Sequence, residues 1–221
     1  MAEIGTGRER QRVGIVESSS KRVTAQIGRK PAANIHHATR LAEQIGCPLN
    51  QFVTINYTKT QCAGDDATAA FRDLLSDWFA RWLRRHPKNK KDVPPAYVYA
   101  FEAAGGQIAV HWLVHIPKGL IREFWRLVPE WVAATAGAIT SPAAIKHRRI
   151  YRVVGVKRYI LKGMDPHFAR LWKIRPSPQG DIVGRRSGFS RSLGPSARQA
   201  ADYRPQRYQA GRWAAAASAT L

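Results

Sequence analysis

Acid is scarce in this chain. Its 221 residues carry 15 Asp+Glu against 36 Lys+Arg, a formal charge of +21 with His neutral. So one-sided a balance points to a polyanionic partner, nucleic acid first. Cysteine is scarce too: Cys47 and Cys62 form neither a disulfide framework nor a metal-type spacing. No apolar run approaches the roughly 20 residues that a membrane helix needs, so no membrane is expected as a partner. The opening stretch, MAEIGTGRERQRVGIVESSSKR, has basic residues but no apolar h-region. A secretory signal is therefore not expected, and a cytoplasmic location is. There is no G-x-x-x-x-G-K-[ST] loop to cradle a nucleotide, so neither a nucleotide cofactor nor a fused helicase is expected. No internal repeat is visible. What is present is apolar matter: 44% hydrophobic residues, with seven each of Trp, Tyr and Phe. That is enough for one sizeable core, and it excludes a wholly disordered chain.

The charge is unevenly spread. Residues 1–45 hold 8 basic and 4 acidic side chains, residues 46–145 hold 11 and 8, and residues 146–221 hold 17 and 3. The expected organisation is a flexible basic arm over 1–35, a folded domain over 36–175 and a basic tail over 176–221. The tail is rich in Arg, Gly, Pro and Ser, which favours loops and extended chain. At its end Tyr203, Tyr208 and Trp213 interleave with Arg204, Arg207 and Arg212. Arginines neutralise phosphates and aromatic faces stack on unpaired bases. A solvated basic tail of the kind that aids solubility is the plainer alternative.

Local patterns place the elements. Residues 36–46 read as a short helix ended by Gly46. Gln51 to Thr58 is β-branched and aromatic, hence a strand, with Phe52, Thr54 and Asn56 on one face and Val53, Ile55 and Tyr57 on the other. Asp65 or Asp66 can cap a helix running to about Arg85. Its apolar stripe is Phe71, Leu74, Leu75, Trp78, Phe79 and Trp82. Ala96 to Ala103 and Gln107 to Ile116 form a hairpin around Ala104, Gly105 and Gly106. Residues 119–136 are helical, with Pro129 expected to kink or split the helix. Tyr151 to Val154 reads as a further strand and Val156 to Gly163 as a helix. Hairpins without regular βαβ spacing argue for an α+β fold: an antiparallel sheet with flanking helices.

Three groups of residues could carry chemistry. Glu102 and His111 lie on paired strands, near enough to meet. With water completing the shell, a carboxylate and an imidazole suit Mg²⁺ or Mn²⁺. The alternative is an ordinary hydrogen-bonded pair. Gln107 and His115 are the nearest further donors, although His115 lies about 13 Å along the strand from His111. Tyr159 and Lys162, three apart on a helix, share a face. A tyrosine hydroxyl can attack a phosphodiester, and a neighbouring ammonium can stabilise the charge that develops. Equally, they could be a packed ring with a solvated lysine. Finally, Gly180 to Arg198 could follow a phosphate backbone or be an unstructured linker.

The order of these features resembles the rolling-circle replication initiators of bacterial plasmids and phages, in the HUH endonuclease superfamily. Phe52-Val53-Thr54-Ile55-Asn56-Tyr57 resembles the family's first strand motif, F-x-T-x-T. Ala109-Val110-His111-Trp112-Leu113-Val114-His115-Ile116-Pro117 resembles its metal-binding H-x-H strand. Glu102 matches the acidic residue upstream of it, and Tyr159-Ile160-Leu161-Lys162 matches Y-x-x-K. Gly184-Arg185-Arg186-Ser187-Gly188 through Ser190, Leu193, Gly194 and Ala197-Arg198 is similar to a tail found in one group of such proteins. The likeness spans roughly 46–200. One departure stands out: Ala109 occupies a position where the family has a metal-ligating histidine.

The resemblance implies an HUH-like fold, single-stranded or origin DNA as partner, and Glu102 and His111 as ligands of Mg²⁺ or Mn²⁺. It makes Tyr159 the nucleophile that forms a 5′-phosphotyrosine link, supported by Lys162. Arg158, Arg185, Arg186, Arg191 and Arg198 are the expected DNA contacts. Ala109 raises a second expectation, a relative that binds origin DNA without cutting it. The charge would also permit an RNA-binding factor, but that leaves the ordered motifs unexplained.

Overall fold

The computed structural model describes residues 22–89 and 92–205. Tyr208, Trp213, Arg207 and Arg212 of the interleaved tail, and the arm over 1–21, lie outside the described residues. The elements run β1 (Val23–Thr24), α1 (Arg29–Gln44), β2 (Gln51–Asn56), α2 (Ala67–Asp73), α3 (Ala80–Arg85), β3 (Tyr97–Glu102), β4 (Ala109–Val114), α4 (Ile121–Ala136), β5 (Ile145–Arg149), α5 (Val153–Ile160), α6 (Pro166–Leu171), β6 (Ile182–Val183), β7 (Ser187–Phe189) and α7 (Pro195–Ala200). A five-stranded sheet has the order β5-β2-β4-β3-β7, and β1 pairs with β6. Among the described residues every pairing between these strands is antiparallel. The fold is therefore α+β. Among the described residues no helix is long and apolar enough to cross a membrane.

Two apolar layers sandwich the large sheet. On one face Val53, Ile55, Phe101, Val110, Trp112 and Val114 pack against Phe71, Phe79 and Leu83 of the α2–α3 helix and against Phe124, Val128 and Trp131 of α4. On the other, Phe52, Val98, Ala100 and Leu113 meet Ile35 and Leu41 of α1 and Ile160 and Leu161 at the end of α5. The alternation expected for β2 is the one observed. Strand β4 is central and buried along its whole length, so His111 is a polar side chain at 4% exposure in an apolar strand.

Several elements differ from the sequence reading. Helix α1 begins at Arg29, inside the expected flexible arm, because Ala32, Ile35, Ala38 and Leu41 form a buried stripe. A π-helical turn, Leu74–Phe79, joins α2 to α3. That wider turn inserts a residue into the period, so Phe79 and Leu83 continue the buried stripe while Trp78 turns outward at 41% exposure. Pro129 sits inside an unbroken α4 on its exposed side. There, the carbonyl that loses its donor can reach water. No strand forms at Tyr151; the edge strand is Ile145–Arg149, and α5 starts at Val153. Four polar residues in a row, Lys146-His147-Arg148-Arg149, hide a strand whose side chains are exposed on both faces.

The basic segment after residue 176 is not a loose tail within the described residues. β7 adds an edge to the sheet beside β3, and Ala103 N donates to Gln179 O at 2.6 Å. Gly180 permits this approach: its φ is +62°, and a Cβ there would meet Ala103 O at 2.5 Å.

Candidate active site

The register of the sheet builds the site. His111 on β4 stands opposite Thr54 on β2 and Ala100 on β3, and Ala109 stands opposite Asn56 and Glu102. Directly opposed residues share a face, so Glu102, His111 and Thr54 project together toward the layer that holds α5. His111 Nε2 lies 3.0 Å from Glu102 Oε2. His111 Nδ1 lies 3.0 Å from Thr54 Oγ1, and the ring stacks against Phe52. Helix α5 lays Tyr159 over this floor, its ring edge-on to His111 with 5.0 Å between centroids. Lys162, one turn further on, places Nζ 2.8 Å from Glu102 Oε2 and 4.2 Å from the centre of the Tyr159 ring. Tyr159 is 44% exposed, so its ring is open to a ligand from solvent.

The electrostatics follow from these contacts. Burial pushes the Glu102 carboxyl up, but the close contacts and charge of His111 and Lys162 outweigh it and hold the group down at about 2. Burial works against the Lys162 ammonium. Its interactions with Glu102 and Tyr159 overcome that penalty and raise its pKa above the usual lysine value. An ionised carboxylate thus anchors a cation beside the exposed phenol.

The fit to a divalent ion is poor. Among the described residues no group of three or more His, Cys, Asp or Glu side chains could hold a metal. Ala109 supplies no donor, and Lys162 already occupies the Glu102 oxygen that an ion would need. His111 Nδ1 meets Thr54 Oγ1, and His111 Nε2 stands 3.0 Å from Glu102 Oε2 without the alignment of a hydrogen bond. The nearby carboxamide oxygens are engaged as well: Gln107 Oε1 accepts from Asn56 Nδ2, and Asn56 Oδ1 accepts from the Thr58 amide. Two donors, one neutralised by an ammonium, are not a preformed site for Mg²⁺ or Mn²⁺.

Other expected residues are sorted by position. His115 lies at the far end of β4, with Nδ1 2.8 Å from the Pro48 carbonyl oxygen, and takes no part in the site. Strand geometry separates it from His111 by about 13 Å. Gln107 borders the Ala109 side through Asn56. Arg186 is not a surface contact: it is 2% exposed, and its guanidinium donates to Thr24 O and to Gly180 O. Arg198 donates to Asn34 Oδ1 at 2.8 Å and so ties α7 to α1. Arg158, Arg185 and Arg191 are exposed. Lys146 and Arg148 escaped the sequence reading. They oppose Thr54 and Phe52 on the edge strand β5, which puts two exposed cations on the face of the site. Only the pairing register reveals them. No family model matches the chain, and no curated protein matches it.

Proposed function

We propose that the protein is a replication-initiator-like, DNA-binding endonuclease of the HUH type. It nicks single-stranded origin DNA through Tyr159. The observation that carries this reading is convergence: Glu102, His111, Tyr159 and Lys162, spread over 60 residues of sequence, meet within hydrogen-bond and ring-contact distances. In the step, the Tyr159 hydroxyl loses its proton and its oxygen bonds to the scissile phosphorus. The P–O3′ bond breaks, the 5′-phosphate stays on Tyr159, and the departing oxygen takes up a proton as a 3′-hydroxyl. Lys162 neutralises charge on the phenolate and on the pentavalent phosphate. Glu102 positions Lys162, and Thr54 orients His111. The stored phosphotyrosine bond allows rejoining without a nucleotide cofactor. Mg²⁺ or Mn²⁺ has no fixed place on the protein in this reading.

The second reading is an origin-binding relative that does not cut. Ala109 and the Lys162–Glu102 pair favour it, since together they leave an ion few donors. One assay separates the two. Labelled single-stranded oligonucleotides are incubated with the protein in Mn²⁺, in Mg²⁺ or in chelator, then run on a denaturing gel. A protease-sensitive adduct that vanishes in Tyr159→Phe, with DNA retention unchanged, supports the nuclease. Salt-sensitive retention without an adduct supports the binding module.

A further inference from the structure

Two concavities flank the edge strand β7. The first, of about 780 Å³, lies on the sheet face opposite Glu102 and His111, where Tyr97 and Tyr99 project; Arg72, Arg84, Arg185 and Arg191 line it. The second, of about 690 Å³, lies at the start of α1 and is lined by Arg22, Lys30, Arg185 and the buried Arg186. Arg185 and Phe189 belong to both, so the two meet at β7. Among the described lining residues of the two, Asp92 is the one acid. Arg22, Lys30, Arg84, Arg185 and Arg191 are all exposed. Helix α1 adds to this potential. Its first turn has Arg29 and Lys30 and no acidic residue, at the end where backbone N–H groups already carry positive partial charge. An internal counter-charge is missing just where a helix normally places one.

We propose that this strip is a binding track for the phosphodiester backbone of DNA flanking the cut, wrapping the β7 edge from the site's face to the opposite face. The inference rests on the DNA-binding reading above and extends it to residues remote from Tyr159. Phosphate contact rather than base stacking is the chemistry offered. The Tyr97 and Tyr99 rings are largely covered, while the guanidinium groups are open. Arg185 is held in place by its own bond, Nε to Ser187 O at 3.0 Å, leaving the rest of its fork to face the concavities. The second concavity reaches the catalytic layer directly: Ile27 N donates to Gly163 O, the residue after Lys162.

The test compares wild type with R72Q/R84Q, both positions lining the first concavity, exposed and free of the core. Fluorescence anisotropy measures binding of a short single-stranded oligonucleotide and of a longer one with the same 3′ and 5′ core, across a salt series. Circular dichroism melting checks that the variant folds. The expected result is at least a ten-fold loss of affinity for the longer DNA, with the slope of log K against log salt smaller by about 1.4. The short oligonucleotide should bind equally to both proteins. Unchanged affinity and slope on the longer DNA, or an equal loss on both lengths, overturns the track. Wild type that binds both but forms no Tyr159 adduct overturns the nuclease reading and leaves the track standing. Wild type that binds neither overturns both.

Discussion

Lys162 and Arg186 are both basic side chains in contact with backbone or carboxylate oxygen, and their surroundings give them opposite roles. Lys162 is partly open and sits beside an exposed phenol. Arg186 is enclosed, and its fork joins β1 to the turn at Gly180. Arg186→Lys should therefore destabilise the fold by about 2 kcal/mol, since a lysine cannot reproduce the paired donation; urea denaturation measures it, and an unchanged midpoint contradicts the role. His36 gives a pH prediction. Burial first, then the charges of Lys157, His37 and Arg40, lower its pKa from 6.5 to about 4. The unfolded chain therefore binds a proton near pH 6.5 that the folded chain refuses until about 4. Its contribution is complete above 6.5 and fades as pH falls through that window. Melting temperature should drop over this range, and His36→Gln should flatten the drop; parallel curves for the two proteins would refute it. The linear motifs made Glu102, His111, Tyr159 and Lys162 legible in sequence. Arg186 was not, because basic composition cannot tell a buried guanidinium from a solvated one.

At the scale of elements, the π-helical turn between α2 and α3 decides which aromatic is buried. Period 3.6 puts Trp78, Phe79 and Trp82 on the apolar stripe, whereas the inserted residue turns Trp78 outward, leaves Trp82 packed at the core's margin and brings Leu83 into it with Phe79. Phe79→Ala should cost about 3–5 kcal/mol, and Trp78→Ala no more than about 0.5 kcal/mol. Thermal denaturation ranks them, and equal losses would place Trp78 in the core. The hairpin and β2 were legible because their alternation and turn residues are local signals. β5 was not: as an edge strand exposed on both faces it needs no alternation, only a neighbour to pair with. β7 is short and glycine-bearing, and it too is made a strand by β3 rather than by its own composition.

Over the whole molecule, the sheet reconciles a basic chain with a dense apolar core. Among the described residues the exposed charge lies on the edge strand β5 and on the outer faces of the helices, while β2, β4 and β3 hold the two apolar layers apart. The α+β class was legible from the hairpin and the irregular spacing of elements. The path of the last third was not, since its arginine-rich composition suits a free tail as well as a sheet edge. The same arrangement places Tyr159 at the surface of one layer, with cations on β5 to one side and the β7 strip on the other.

The most direct measurement is the site of covalent attachment. Protein trapped with a single-stranded oligonucleotide is digested with nuclease and trypsin, then read by mass spectrometry. Cleavage after Arg158 and Lys162 isolates Tyr159-Ile160-Leu161-Lys162, distinct from the peptide that carries Tyr151. The account predicts a nucleotide mass on that four-residue peptide. Attachment at Tyr151 or any other residue, or bound DNA recovered intact with no modified peptide, would contradict Tyr159 as the nucleophile.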